Sequence, residues 1–391
     1  MRIIYCGCFR LPNFDAASSR VLNNAKAFHS LGHDVKLLSW GGQYRETDLC
    51  EDGKYRLNGM EYIITGELDF QGSFLYRFLQ MYKRGSKTMA LLNEMSEKPD
   101  LIVMYNADYC WTKQVLNYCK KYNVKIANDI TEWYDNNELH FWDILPNHFN
   151  MASLQLRVNN KICISTYLDR YYKESNNLLL PPLCDPDDGK WKASIDDNRV
   201  KAFDGVTLIY AGNPAKKDCL HSVINAVNTL ANKGKTIRFL ILGITRESYI
   251  RRYGKYLLDG SLNDNVIFLG RVSQDLIPAY YKKADFMVLL RKPNRKNMAG
   301  FPTKFAESMT SGVPVITNAT SDLANYVVDG KTGFLVDGYD YESILYTLTN
   351  SVVAIKKDDI NMMKSQVSRI KLSFDWHHYL NNINNFLNNL Y

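Results

Sequence analysis

RKPNRKNMAGFPTKFAESMTSGVPVITN, residues 291–318, decides how the chain is read. Before it stands DFMVLL (285–290), with the length and composition of a buried strand, and the basic, Gly- and Pro-containing segment 291–302 cannot prolong that strand. A helical period begins at Thr303, carries Phe305 and Met309, stops at Ser311 and Gly312, and gives way to the apolar strand PVIT (314–317). A helix that opens after such a loop turns unpaired N–H groups and the positive end of its dipole outward, where a phosphate can sit. Arg291, Lys292, Arg295, Lys296 and Lys304 surround this opening, and Glu307, one turn inside, can accept hydrogen bonds from sugar hydroxyls. Cations for phosphate and a carboxylate for ribose point to a nucleotide. A solvated basic loop beside an ordinary helix glutamate is the alternative that this stretch alone leaves open.

Outward from it, VTLIYA (206–211), RFLIL (238–242), NVIFLG (265–270), DFMVLL, PVIT and GFLV (333–336) are six strands alternating with helical patterns, a doubly wound domain over residues 206–370. After the first of these strands the turn Gly212-Asn213-Pro214-Ala215-Lys216-Lys217-Asp218 opens a helix with two lysines at its mouth, on the same edge as Gly300, Thr303 and Lys304. The first 183 residues show a similar alternation: RIIYC (2–6), a loop, a helix over 18–31, then DVKLLS (34–39), with further strands at 100–105, 125–130 and 161–165. No G-x-G-x-x-G follows the first strand, which argues against a dinucleotide-dependent oxidoreductase. Ligands of such sheets lie at the carboxyl ends of strands, which makes Asp129 and Glu132, in DITEW, site candidates.

Residues 184–205 are rich in Pro, Asp and Gly and lack an apolar period, as an inter-domain linker does; Asp185-Pro186-Asp187 within them is a weak match to a metal-binding Asp-x-Asp. Residues 374–390 place Trp376, Leu380, Ile383, Phe386 and Leu387 on one helical face. That face calls for a partner surface on its own domain or on the first one. Residues 74–92 mix aromatic and basic side chains, a pattern that suits either a core-packing helix or peripheral contact with an anionic membrane surface.

Composition bounds the rest. The chain of 391 residues is 46% hydrophobic and 23% charged, enough for two packed domains. Of its net charge of +7, residues 185–391 hold most, with 27 Lys and Arg against 21 Asp and Glu. This accords with an anionic ligand there, and no nucleic-acid-binding module is recognisable. Neither a secretory core nor a span of membrane length is apparent. The eight cysteines and seven histidines fit no common metal spacing, so we expect free thiols, a cytoplasmic location with peripheral membrane contact left open, and no metal or cofactor.

AGFPTKFAESMTSGVPVITN resembles the donor-binding segment of family-4 glycosyltransferases, a likeness that extends over most of the chain and is weakest near its middle. The resemblance implies an α/β GT-B fold: two doubly wound Rossmann-like domains facing each other across a cleft, the acceptor on the first, the nucleotide sugar on the second, and a terminal helix over 371–391 crossing back. It implies retaining transfer, without metal, of a sugar from a UDP- or GDP-sugar to a glycan or lipid-linked acceptor. Lys217 matches a family lysine at the diphosphate, and Asn213 stands where the family has an arginine, with Lys216 or Arg291 able to compensate. Lys304 and the helix mouth complete the anion site, Arg271 and Val272 resemble the base-binding loop, and Glu307 matches the ribose glutamate. A second family glutamate, associated with the transferred sugar, is replaced by Ala299, so backbone N–H groups from Gly300 to Thr303 are expected to hold that sugar. The family's histidine near Asp129 and Glu132 has no counterpart. An epimerase of nucleotide sugars using those two carboxylates, and a non-catalytic nucleotide-binding or membrane-associated protein, are the rival readings.

Overall fold

The computed structural model describes residues 1–12, 15–68, 83–214, 217–258, 260 and 262–390. The chain divides into two compact units, one made of residues 1–183 and 376–391, the other continuous over residues 184–375.

Among the described residues the first unit is built on eight strands: β1 (Arg2–Leu11), β2 (Asp34–Gly42), β3 (Arg56–Leu57), β4 (Met60–Ile64), β5 (Leu101–Tyr105), β6 (Lys125–Ile130), β7 (Asn160–Cys163) and β8 (Asn176–Leu179). They lie in the order β3-β4-β2-β1-β5-β6-β7-β8, parallel throughout except for the β3–β4 hairpin. Side chains alternate across a strand, and here both faces are covered. Ile3 and Tyr5 enter one core with Val21 and Phe28, while Ile4 and Cys6 enter the other with Trp40 and Trp111. Asp15 starts the helix Ala16–Ser30 by a reciprocal cap with Ser18, which fixes where Arg20, one turn on, enters the core. The helix Leu380–Asn388 belongs to this unit: Ile383, Phe386 and Leu387 are buried in the core of Ile3 and Tyr5, and Asn176 Nδ2 donates to the Phe386 carbonyl at 3.3 Å. Of the basic aromatic segment 74–92, residues 74–82 lie outside the described residues; its remainder falls within a turn and the helix Ser86–Glu94.

The second unit carries β9 (Val206–Ala211), β10 (Ile237–Leu242), β11 (Val266–Gly270), β12 (Phe286–Leu289), β13 (Val315–Asn318) and β14 (Gly333–Val336). They form one parallel sheet in the order β11-β10-β9-β12-β13-β14. All six residues of β9 are buried, as a strand covered on both faces requires. The strand order reverses between β9 and β12, and the loops leaving the carboxyl ends of strands at such a reversal form a crevice in which ligands of open α/β sheets bind.

Residues 184–205 are fastened to the second unit. Trp191 Nε1 donates to the Asp185 carbonyl at 2.5 Å, Tyr280 OH to Asp197 at 2.9 Å and Arg199 to the Leu269 carbonyl at 3.2 Å. Asp185 accepts the N–H of Asp187 at 3.0 Å, a local turn. Phe374 packs against Phe301, Phe305 and Tyr326, so residues 371–375 stay with this unit before the chain returns. Among the described residues no helix is long and apolar enough to cross a membrane, and no three His, Cys, Asp or Glu side chains group as metal ligands would. All eight cysteines are unpaired.

Candidate functional site

At the carboxyl end of β9 the chain passes through Gly212, whose φ of 135° lies in the left-handed region. A Cβ there would come within 3.0 Å of Lys304 Nζ, so the glycine gives that ammonium room beside the backbone. Gly243, at the end of β10, is tighter: its φ is 100°, and a Cβ would stand 2.4 Å from the Gly212 carbonyl oxygen. Its N–H donates to the Gly270 carbonyl at 2.7 Å, and Gly212 N–H to the Leu242 carbonyl at 3.1 Å. These bonds tie the ends of β9, β10 and β11 into one edge.

Asp218 is the centre of this edge. Its Oδ1 accepts from Arg291 Nε at 2.7 Å, and its Oδ2 accepts from Lys304 Nζ at 2.8 Å and from Tyr210 OH at 2.6 Å. Lys304 also donates to the Tyr210 hydroxyl at 2.9 Å and lies 4.2 Å from the centre of its ring. The Asp218 and Arg291 side chains are 2% and 6% exposed, that of Lys304 17%. Burial alone would raise the Asp218 pKa, yet Lys304 and Arg291 outweigh it and hold the carboxyl far below the usual range. Burial, with help from neighbouring Arg291, lowers Lys304 against the pull of Asp218. Burial and then Asp218 push the Tyr210 hydroxyl well up. Two cations thus share one carboxylate, leaving one positive charge in a largely desolvated place.

That surplus stands beside a helix mouth. Thr303–Thr310 begins after Pro302 with no side-chain cap. Glu307, one turn in, is 24% exposed, with Lys190 Nζ 3.8 Å from its Oε1. Burial raises the Glu307 pKa, and Lys190 and Lys304 act the other way. Lys190, which reaches Glu307 from residues 184–205, and Tyr210, which reads as an apolar strand residue, carry no signal in the sequence that marks them as part of this edge. Nor does Asp218 as the carboxylate that gathers the cations.

The other expected residues fall as follows. Arg291, Lys304, Thr303, Glu307, Gly212 and Lys217 come to the one edge, Lys217 half-buried beside Asp218. Asn213 is exposed on the same turn, and Lys216 lies outside the described residues. Arg271 is exposed and Val272 half-buried just past β11. Ala299 is fully buried at the end of the helix Arg295–Ala299, and Gly300, with φ −85°, is in extended backbone open to any residue. Gly300 N–H already donates to the Lys296 carbonyl at 2.9 Å, and Pro302 has no N–H. The expected backbone grip on a sugar from Gly300 to Thr303 is therefore reduced to Phe301 and Thr303.

In the first unit Asp129 departs from its expected part. It is fully buried, and Arg20, itself 3% exposed, reaches it through Nη2 at 2.7 Å and Nε at 3.0 Å; Tyr5 OH also donates to it, and Asn24 Nδ2 does so at 3.3 Å. Arg20 further binds the Leu180 and Pro181 carbonyls at 2.9 and 3.2 Å. So placed, Asp129 is a clamp joining β1, β6, a helix and the loop after β8, occupied by donors on both oxygens. Glu132 is half-buried with the Tyr134 hydroxyl beside it, whose pKa burial, and then Glu132, push up strongly. Around it Trp133 packs edge-on against Tyr171 (4.5 Å) and Tyr167 (6.4 Å), whose residues are 41% and 36% exposed. The acid–base pair that an epimerase would draw from Asp129 and Glu132 thus has one member committed to Arg20.

Solved structures of like form cover the whole chain. Sucrose-phosphate synthase from Thermosynechococcus elongatus superposes with a TM-score of 0.72 at 14% identity, over 99% of this chain and 98% of that one. HepE of Anabaena in complex with UDP gives 0.69 at 14%, and the trehalose-6-phosphate synthase OtsA 0.70 at 12%, each over 100% of both chains. The fold is GT-B. Within this GT-B chain, residues 205–351 match the model of the family described as glycosyl transferases group 1. Among curated proteins, the capsular polysaccharide biosynthesis glycosyltransferase CapM of Staphylococcus aureus is 25% identical over 159 residues, 39% of this chain and 40% of that one. A GDP-mannose-dependent mannosyltransferase of Mycobacterium tuberculosis is 31% identical over 101 residues, 25% of this chain and 26% of its own. The likeness to these curated relatives thus spans two fifths of their length or less.

Proposed function

We propose that this protein is a retaining glycosyltransferase that moves a sugar from a nucleoside diphosphate donor, held by the second unit, to a glycan or lipid-linked acceptor held by the first. The observation that carries the reading is the pair Arg291 and Lys304, converging on Asp218 beside an uncapped helix mouth, within the stretch that matches the group 1 family. When the bond from the anomeric carbon to the diphosphate breaks, negative charge grows on the departing phosphate. Lys304, Arg291, Lys217 and the helix mouth are preorganised to receive it, with Asp218 holding the first two in place so that little reorganisation is needed. The attacking acceptor hydroxyl enters on the same face, and no protein nucleophile takes part. Fixed cations can offset the diphosphate charge that a divalent ion would otherwise meet, and on that ground the reaction is proposed to be metal-independent.

Glu307 is assigned the ribose hydroxyls, and the loop at Arg271 and Val272 the base, through its backbone. UDP in HepE and GDP-mannose in the mycobacterial relative support a nucleotide-sugar donor and leave both bases in play. On the acceptor side, the exposed Tyr167 and Tyr171, backed by the buried Trp133, offer aromatic faces and Glu132 a hydrogen-bond acceptor, chemistry suited to a sugar ring. Eight unpaired thiols support placing the protein in the cytoplasm. The test is transfer from a panel of UDP- and GDP-sugars in the presence of EDTA. Lys304→Met should lower kcat/KM by a factor of about 100–1,000, the scale of a lost charge-stabilising donor. Activity that disappears on chelation and returns with Mg²⁺ would overturn metal independence, and donor epimerised without acceptor would overturn transfer itself.

A further inference from the structure

The opposite, amino-terminal edge of the second sheet holds a cavity of about 450 Å³. The six residues of β9, about 17–20 Å of strand, separate it from Asp218 and its cations. Thr207 and Arg238 sit side by side where β9 and β10 begin, and Asp285 directly precedes β12. Arg238 is 8% exposed; its Nε donates to Thr207 Oγ1 at 2.9 Å and its guanidinium lies 4.8 Å from the centre of the Phe203 ring. Asp285 accepts the Thr207 N–H at 2.9 Å and Lys357 Nζ at 2.6 Å, with Lys364 Nζ at 3.8 Å.

Six basic side chains line the cavity against three carboxylates. Two of those carboxylates are already met: Asp285 faces two lysines, and Asp197 is bound by Arg199 at 2.7 Å and by Tyr280. Burial draws the pKa values of Arg238 and Lys364 below their ordinary positions, with Asp285 opposing the fall in each. The guanidinium held against an aromatic ring is a rigid fork suited to phosphate oxygens, and flexible lysines beside it add charge. The volume lies within the range of small-molecule sites, about 300–1,000 Å³.

We propose that this cavity is a second anion site of the chain, separate from the donor site, and that it takes a phosphoryl dianion, as inorganic phosphate or as a phosphomonoester. The phosphoryl group is met by Arg238, Lys283 and Lys364, and it draws Lys364 from Asp285 and from the Ala284 carbonyl, to which its Nζ donates at 2.7 Å. Since Lys364 lies on the helix Lys357–Ile370, occupancy ties that helix to the starts of β9 and β10 and stabilises the second unit by mass action. The inference stands on the cavity alone and is independent of the transfer reaction.

The chemistry fits inorganic phosphate and a sugar monophosphate alike, so both are titrated into the full chain by calorimetry, with unphosphorylated glucose as control. Inorganic phosphate and glucose 6-phosphate are the probes. At least one should bind saturably, with affinity reduced at least tenfold by Arg238→Met and by Lys364→Met and kept within twofold by Lys304→Met at the other edge. Tighter binding of glucose 6-phosphate identifies a sugar phosphate as the ligand; equal binding shows that the phosphoryl group alone is read. Should Arg238→Met not fold, Lys283→Met, at an exposed position, carries the same expectation. No saturable binding of either probe, or binding lost with Lys304→Met and kept by the cavity variants, would overturn the proposal.

Discussion

Asp218 meets Arg291 at 2.7 Å and Lys304 at 2.8 Å in a place from which water is largely excluded. Removing its charge leaves two buried cations facing one another. Asp218→Asn should therefore destabilise the second unit by about 3–5 kcal/mol, the cost of breaking a buried pair from one side, as read from denaturant unfolding. Stability unchanged by the substitution would show that the two cations find other partners. The sign of the pH dependence follows from the depressed carboxyl: its contribution is full above the unfolded carboxylate value and is lost as pH falls through the lower folded one. Glu307 has the opposite sense, since burial raises it and it takes up a proton sooner than a free glutamate. As the proposed acceptor for ribose hydroxyls it should lose that role as pH falls through its raised pKa. Glu307→Gln should weaken nucleotide binding by about 1.5–3 kcal/mol and flatten the acid limb of the binding profile, both measurable by calorimetry. A variant that keeps full affinity and the same acid limb removes Glu307 from the site.

At the scale of elements, the edge at Gly212, Gly243 and Gly270 depends on backbone meeting backbone. Gly243→Ala would drive a methyl group to 2.4 Å from the Gly212 carbonyl at a φ of 100°. We expect a loss of about 1–3 kcal/mol in stability from the strained backbone, and a fall in nucleotide affinity because the Gly212 turn must move. Unchanged binding in a folded variant would mean that this turn does not form the anion site. The six strands of the second sheet are legible in the sequence because strands covered on both faces read as unbroken apolar runs. β3 and β8 pass unnoticed, being short and, in β8, opening with two asparagines, and β4 does so because Glu61 interrupts its apolar run. The helix mouth at Thr303 and the cations around it are also legible, since they follow one another along the chain. Their shared partner is not: Asp218 is 73 residues from Arg291, and Arg20 is 109 from Asp129. A carboxylate at a strand end looks the same in sequence whether it faces substrate or an arginine, and only tertiary pairing separates the two cases.

On the scale of the whole molecule, the chain leaves the first unit after Leu183 and returns to it at Trp376. Ile383, Phe386 and Leu387, each at most 4% exposed, then complete the core begun by Ile3 and Tyr5. Burying three such side chains contributes about 1.5–3 kcal/mol apiece. Ending the chain at Asp375 should therefore lower the first unit's unfolding transition steeply and leave the second unit's in place, a separation visible by calorimetry. One transition shifted as a whole would show that the two units unfold together.

This return has a temporal side. Synthesis proceeds at about 5–20 residues per second, so the ribosome needs about 10–40 s to make the residues between Leu183 and Trp376. Throughout that interval the second unit can be gathering its own continuous segment, while the first, although emerged earlier, waits with the surface around Ile3, Tyr5, Val21 and Phe28 lacking its cover. Of the two units, the one whose strands are synthesised earlier is thus the one whose core is completed later, and until then its uncovered apolar surface is where a chaperone would find its grip.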